Sequence, residues 1–309
     1  MNKIVSNLFG LIFIAFQING YAQQTPAQEA GLTNLVNPGA VLQKLPIRFT
    51  FTEGPAVNKQ GDIYFTDQPN DKIWKCSMQG DTPVTTVFME KTGRSNGMYF
   101  DKNGNLVTCA DEKDELWSIA PDKKVTVLLN SFQGHTFNGP NDLWIDKNGD
   151  IYFTDPYYQR DYWQRKNPDL DRQNVYYLAK GKKQAVIVDS LLVQPNGIVG
   201  TPDGKYLYVA DIRDNKTYKY DIASGGVLTN RRLFIPQGSD GMTLDEKGNL
   251  YITGRGVTIY DPNGIKLGNI PVAANWVANV CFGGKNRNIL FITASESVYT
   301  LQMRVRGVE

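Results

Sequence analysis

The chain has 309 residues, 41% apolar and 21% charged, and its 33 basic and 31 acidic side chains leave a net charge of +2. This balance suits a soluble globular protein with a large core and gives no global field that would draw in nucleic acid or an anionic membrane. With a single histidine, His135, and three cysteines, it also excludes a zinc centre of imidazoles and a framework of paired disulfides.

Residues 1–22 carry an early cation, Lys3, an apolar run over 8–16, and small residues at Gly20 and Ala22. That order predicts a cleaved secretory signal peptide, with a secreted or periplasmic product, because the run is too short for the ~20 residues that span a bilayer. Residues 23–40 are polar and turn-rich and read as a disordered lead-in. From 41 to 305 the chain reads as one domain. The stretch "VLQKLPIRF" at 41–49 has strand character, and then a template repeats: "EGPAVNKQGDIYFTD" at 53, "NGMYFDKNGNLVTCAD" at 96, "NDLWIDKNGDIYFTD" at 141, "NGIVGTPDGKYLYVAD" at 196, "DGMTLDEKGNLYITG" at 240 and "NVCFGGKNRNILFITA" at 279. Each copy is a polar residue, an apolar strand, a Gly or Asn turn, and a second strand rich in β-branched and aromatic residues.

The copies are spaced 43, 45, 55, 44 and 39 residues apart, the period of a propeller blade with room for two further strands. An all-β, six-bladed β-propeller of four-stranded blades follows. The last copy ends too early to supply four strands, so the segment at 41–49 is expected to close the ring by covering the edge of the final blade. Cys76, Cys109 and Cys281 lie in or beside apolar strand patterns and read as small buried hydrophobes, with one bridge still open to an exported protein.

First strands of propeller blades line the central channel, so the residues that begin them converge on one mouth. These are Glu53, Asn96, Asn141, Asn196, Asp240 and Asn279. Two carboxylates among amides, with neither thiol nor imidazole, make an all-oxygen set of the kind hard cations such as Ca²⁺ choose. Asn, Asp and Gly also precede strands simply as turn formers, so spacing alone leaves a metal site and a solvated channel mouth both open. The largest surplus over the repeat lies at 156–174, after a second strand, and should overhang the same mouth. Its Tyr157, Tyr158, Arg160, Tyr162, Trp163 and Arg165 can either contact a polar ring or pack on one another. His135, on the same face, reads as a solvated loop residue with substrate contact as the alternative.

The phrases "FTEGPAV" at 51, "FNGPNDL" at 137, "QPNGI" at 194 and "SDGM" at 239 resemble the signature segments of the senescence marker protein, gluconolactonase and luciferin-regenerating enzyme family, over about residues 45–300. The resemblance implies a six-bladed propeller with one divalent cation at the channel mouth, commonly Ca²⁺, with Zn²⁺, Mg²⁺ or Mn²⁺ as other candidates. It implies Glu53, Asn196 and Asp240 as metal ligands, Asn141 as a ligand or substrate contact, and Asp240 as general base in lactone hydrolysis. His135 and Thr136 stand where members often carry a basic residue before "FN", which leaves the substrate open. The expected activity is metal-dependent opening of a sugar lactone or similar cyclic ester. Asn141, Asn96, His135, Tyr158, Trp163 and Arg160 are the expected substrate contacts. A phosphotriester or aryl ester hydrolase on the same metal, or a non-catalytic binding propeller, are the alternatives. The expected partner is a small molecule, with neither nucleic acid nor, after signal cleavage, membrane; oligomeric state is open.

Overall fold

In the computed structural model, which describes residues 30–80 and 82–308, each repeat folds as a four-stranded antiparallel sheet. Blade 1 is Thr52–Val57, Ile63–Asp67, Lys72–Gln79 and Thr82–Glu90; blade 2 is Ser95–Phe100, Leu106–Ala110, Glu115–Ile119 and Val125–Leu129. Blade 3 is Leu143–Ile145, Ile151–Asp155, Asn174–Leu178 and Val186–Asp189; blade 4 is Pro195–Gly200, Tyr206–Asp211, Lys216–Ile222 and Leu228–Ile235. Blade 5 is Met242–Leu244, Leu250–Gly254, Gly256–Tyr260 and Lys266–Ile270. Blade 6 has Asn279–Gly283, Ile289–Ala294 and Ser297–Gln302, and its fourth strand is Gln43–Lys44. The first strand of each sheet touches the first strands of both neighbours, and the last returns to the first, so the ring is a closed six-bladed β-propeller.

The repeat phrases show why these sequences turn where they do. In "DKNG" of blades 2 and 3 the aspartate folds back on the backbone: Asp101 Oδ1 accepts the N–H groups of Asn103 and Asn105, both at 2.8 Å, and Asp146 Oδ1 accepts those of Asn148 and Asp150 at 2.7 and 2.9 Å. Such a side-chain turn reverses the chain within two residues and leaves the flanking strands paired. Inner strands such as Thr52–Val57 are buried throughout, whereas the outermost strand Thr82–Glu90 is mostly exposed. The core therefore lies between blades. One cluster joins Trp144 and Tyr152 of blade 3, Ile198 and Tyr208 of blade 4, and Leu244 and Ile252 of blade 5.

The seam is closed as the sequence predicts, with Gln43 paired to Thr300 and Lys44 to Tyr299. Only these two residues of the 41–49 segment form a strand, but the rest seals the joint: Leu45 and Phe49 are buried, and Phe49 meets Phe65 and Trp74 of blade 1 edge-on at 5.2 and 5.4 Å. The expected disordered lead-in is corrected over residues 30–40. Leu32, Leu35 and Val36 are buried against Ile259, Ile270 and Phe282 of blades 5 and 6, because this polar-looking stretch carries three spaced apolar side chains with a hydrophobic surface to cover. The expected signal peptide at 1–22, and residues 23–29, lie outside the described residues. All three cysteines are free and buried, in blades 1, 2 and 6, and burial pushes the Cys76 thiol up to about 12.

Candidate active site

Aspartates at the ends of the second strands place the inner strands. Asp67 accepts the N–H groups of Thr50 and Phe51, Asp155 those of Asn138 and Gly139, and Asp211 those of Val193 and Gln194. Each tie fixes the loop that delivers Glu53, Asn141 or Asn196 to the channel mouth. A second set of bonds links neighbouring blades, for example Thr154 Oγ1 to the carbonyl of Asn196 at 2.8 Å. Gly54 allows a close approach between blades 1 and 2: it sits at φ 46°, and a Cβ there would lie 1.9 Å from the carbonyl oxygen of Asn96.

Glu53, Asn141, Asn196 and Asp240 line one cavity of about 420 Å³, together with Tyr158, Arg160, Gln194, Ile212, Arg213 and Trp276. A third carboxylate, Asp142, lines the adjoining space of the channel with Asn279 and is linked to them through that amide. Asn279 Nδ2 lies 3.2 Å from Glu53 Oε2 and 3.5 Å from Asp142 Oδ2, so one amide bridges two acids. Glu53 Oε2 also accepts from its neighbour Gly54 N at 2.6 Å, and Asp142 Oδ1 accepts from Leu143 N at 2.9 Å. Asp240 Oδ2 accepts from Trp276 Nε1 at 2.6 Å. Burial, then the charges of Asp240 and Asp142, hold the Glu53 carboxyl well above the usual carboxylate range. Burial raises Asp142 to about 7 and Asp240 to about 6, the latter opposed by its bonds to Trp276 and Asn196 and by the Arg160 charge.

This cluster fits a hard divalent cation. Glu53 and Asp240 stand in the cavity with amide side chains and with Arg160 as the cation acting on Asp240, and Asn196 Oδ1 is buried without a hydrogen-bond partner while its Nδ2 donates to Tyr158 Oη at 2.9 Å. An amide oxygen left bare beside acids that cannot all ionise is the donor set of an oxygen-ligated ion. Among the described residues no three His, Cys, Asp or Glu side chains make a ready metal cluster, and the candidate set is correspondingly mixed, with amide oxygens beside carboxylates.

The surplus segment after the second strand of blade 3 stands over the mouth and divides in role. Tyr158 and Arg160 face the cavity. Trp163, expected as a substrate contact, is buried instead: its Nε1 donates to the Asp111 carbonyl at 2.9 Å and Arg165 stacks on its ring at 3.9 Å. The anchor of this lid is Asp111, which accepts from Arg160 Nε at 2.9 Å and from the Tyr162 hydroxyl. By its place in the repeat Asp111 should tie down the loop leading into its own blade, but Asp71 of blade 1 does that, accepting from Thr92 and Arg94 N–H at 2.8 and 2.7 Å. Arg94 in turn lies over the Tyr162 ring at 4.3 Å.

Two other expected contacts lie off the cavity. Asn96 is buried behind Gly54, its Oδ1 unpartnered, and His135 is exposed on a surface loop 3.4 Å from Asp169. Sequence reasoning missed Asp142, Trp276, Arg213 and Asp111. Asp142 stands beside Asn141 in the quoted "PND". Trp276 lies in a loop before a first strand and Arg213 in a loop after a second, the two classes that emerge on this face.

The model of the SMP-30/Gluconolactonase/LRE-like region matches residues 21–296. A gluconolactonase of Zymomonas mobilis is 27% identical over 287 residues, covering 83% of this chain and 80% of its own. The solved structure of a gluconolactonase from Xanthomonas campestris superposes with a TM-score of 0.80 at 26% identity, over 89% of this chain and 93% of that one. A luciferin-regenerating enzyme shares the fold at a TM-score of 0.71 and 19% identity, over 87% and 96% of the two chains. With its six blades and its four signature phrases in order, the chain belongs to the SMP-30/Gluconolactonase/LRE-like family.

Proposed function

We propose that the protein is a metal-dependent lactonase that opens a sugar lactone or similar cyclic ester. The observation that carries this is the meeting of Glu53, Asp240 and the unpartnered Asn196 oxygen in one open cavity, with Asp142 linked to Glu53 through Asn279. Relatives named gluconolactonase support the reaction class. Glu53, Asn196 and Asp240 would hold one divalent cation, with Asn141 or Asp142 completing the set, and Ca²⁺ suits these oxygens best. Bound there, such an ion would supply Lewis-acid chemistry toward a substrate carbonyl.

The chain's own groups do the rest. Asp240, aimed by the Trp276 indole, can take a proton from an attacking water. Its carboxyl can then return that proton to the ring oxygen that leaves as the ester opens. Tyr158 and Arg160 fix hydroxyls of the substrate from above, and the exposed indole of Trp276 offers a face on which a sugar ring can stack.

The test is a panel of sugar lactones, an aryl ester and a phosphotriester, assayed on metal-stripped protein with Ca²⁺, Mg²⁺, Mn²⁺ and Zn²⁺ returned singly. Lactone opening that depends on one of these ions is the expected result. Turnover of only the aryl ester or phosphotriester, or of nothing with any ion, would replace the reading.

A further inference from the structure

The upper face holds a second hollow, of about 630 Å³, that meets the first along Ile212, Asp240 and Trp276. It exists because the second and third strands of blade 5 are joined by Arg255 alone, so the face is low there. The shared edge is rigid. Trp276 is 42% exposed, yet its indole is bonded to Asp240 and its backbone N–H to Ser295 Oγ at 3.0 Å, whose hydroxyl donates back to the Trp276 carbonyl at 3.1 Å. A large aromatic fixed in the open between two hollows is a platform for a ligand that spans both.

Most of the long polar side chains lining this second hollow present donors; Asn269 is the exception, its Nδ2 going to the Arg255 carbonyl at 3.1 Å and to Thr258 Oγ1 at 2.9 Å. Asn215 spends its Oδ1 on the Gly238 N–H at 3.0 Å, and Gln237 spends its Oε1 on the Tyr260 hydroxyl at 2.7 Å, so each turns an NH₂ group outward. Arg255 and Lys266 line it as well, and Arg213 stands on the rim of the neighbouring cavity; none of the three has an ion pair among the described residues. Its one carboxylate, Asp240, sits at the shared edge and is engaged by Trp276. A neutral sugar offers as many hydroxyl donors as acceptors and would set hydrogens against N–H groups here. Carboxylate, sulfate and phosphate only accept, and they match such a surface with charge-assisted bonds.

We propose that the hollow over blade 5 is an anion subsite, and that the lactone opened in the first cavity carries an acidic group on the part remote from its ring carbonyl. The substrate class is thus an extended sugar lactone ending in a carboxylate, sulfate or phosphate. This rests on the lactone-opening reading for the portion of the ligand in the first cavity.

The experiment uses the metal-loaded full chain and one aldonolactone in five forms: unextended, extended by a neutral hexose, and extended by a hexuronate, a hexose sulfate or a hexose phosphate. The acid-extended substrates should exceed the neutral-extended one in kcat/KM by at least about tenfold, with the advantage shrinking as salt is added. Ranking the three anions identifies the natural group. The double variant Arg255→Ala, Lys266→Ala should erase the advantage through KM and leave the unextended lactone within about twofold, since neither residue lines the first cavity. Thermal-shift binding of an open-chain disaccharide acid ending in hexuronate, against its neutral counterpart, gives a second readout. If no lactone is opened but this acid binds wild type and fails to bind the double variant, the subsite stands and the lactone reading falls. Equal handling of neutral and acidic extensions, or no effect of the double variant, overturns the proposal.

Discussion

Blades 3 and 5 are built on one template and finish it in opposite ways. After its second strand blade 3 runs on through residues 156–173 before pairing resumes at Asn174, whereas blade 5 turns on Arg255 alone. Both deliver an acid to the same floor, Asp142 before the first strand of one and Asp240 before that of the other. The repeat therefore fixes the acids, and the loops after second strands decide how high the wall stands on each side. One side gains a lid pinned through Asp111; the other is left open over donors and cations. Chemistry and specificity are accordingly separable on this scaffold, and mutations in floor and wall should fall on different kinetic constants.

The floor gives the largest effect. Asp240→Asn should lower kcat by about 100-fold or more, the range for losing a general base, while circular dichroism stays unchanged. Metal content measured on the same sample separates loss of the base from loss of the ion. Near-normal turnover would show that the floor acid has no essential role and would break the division between floor and wall.

The blade 3 wall comes next. Asp111→Ala removes the acceptor shared by Arg160 and the Tyr162 hydroxyl, so KM should rise by about tenfold with kcat changed far less, since remote contacts orient rather than react. Asp111→Asn keeps one acceptor oxygen and should recover part of the loss, which a general defect in folding would not show. A fall confined to kcat would place Asp111 with the floor.

The floor carries a proton-linked effect, and the blade 3 wall shares it, since burial also raises Asp111 and lifts Asp114 to about 7; only the part carried by the floor acids should answer to a divalent cation. In metal-free protein Glu53 is raised, Asp142 stands at about 7 and Asp240 at about 6, while unfolded carboxylates titrate near 4. Between those values the folded state binds more protons than the unfolded, so stability falls as pH rises from about 4 to 7. Metal-free protein should therefore melt at least about 3 °C lower at pH 7.5 than at pH 5, and a divalent cation should reverse this at pH 7.5. A melting temperature that rises over that interval without metal would contradict the crowding of acids on the floor.

What was legible in the sequence follows the same division. Blade count and the acids and amides at strand starts rest on a local signal repeated six times over, and repetition makes a weak local signal readable; the closing strand follows from the last copy being too short. Asp111 was not readable, because its departure from the repeat depends on Asp71 of another blade taking over its task. Trp163 and Tyr158 look alike in "PYYQRDYW", and only the packed loop sends one under the lid and the other over the cavity. Leu32, Leu35 and Val36 were hidden by polar neighbours, since three spaced apolar residues matter only when blades 5 and 6 offer a surface for them.

The smallest expected effect comes from making blade 5 resemble blade 3. The turn at Arg255 is tight because Gly254 pairs with Gly256, and Gly256 sits at φ 87° where a Cβ would lie 2.3 Å from the Ile270 carbonyl oxygen. Neither glycine can be replaced cheaply, but residues inserted after Arg255 would leave both in place and lift the loop over the hollow. A short Gly-Ser-Gly insertion costs little stability, because loop closure entropy grows only slowly with length. It should leave an unextended lactone within about twofold in kcat/KM, since the first cavity keeps its lining, and lower kcat/KM for extended lactones a few-fold by filling the space they occupy. Equal losses for both substrates would mean that the insertion disturbs Trp276 and Asp240, and that the low edge of blade 5 supports the floor. An unchanged extended substrate would mean that its extension leaves the cavity by another route, over Arg213 and blade 4.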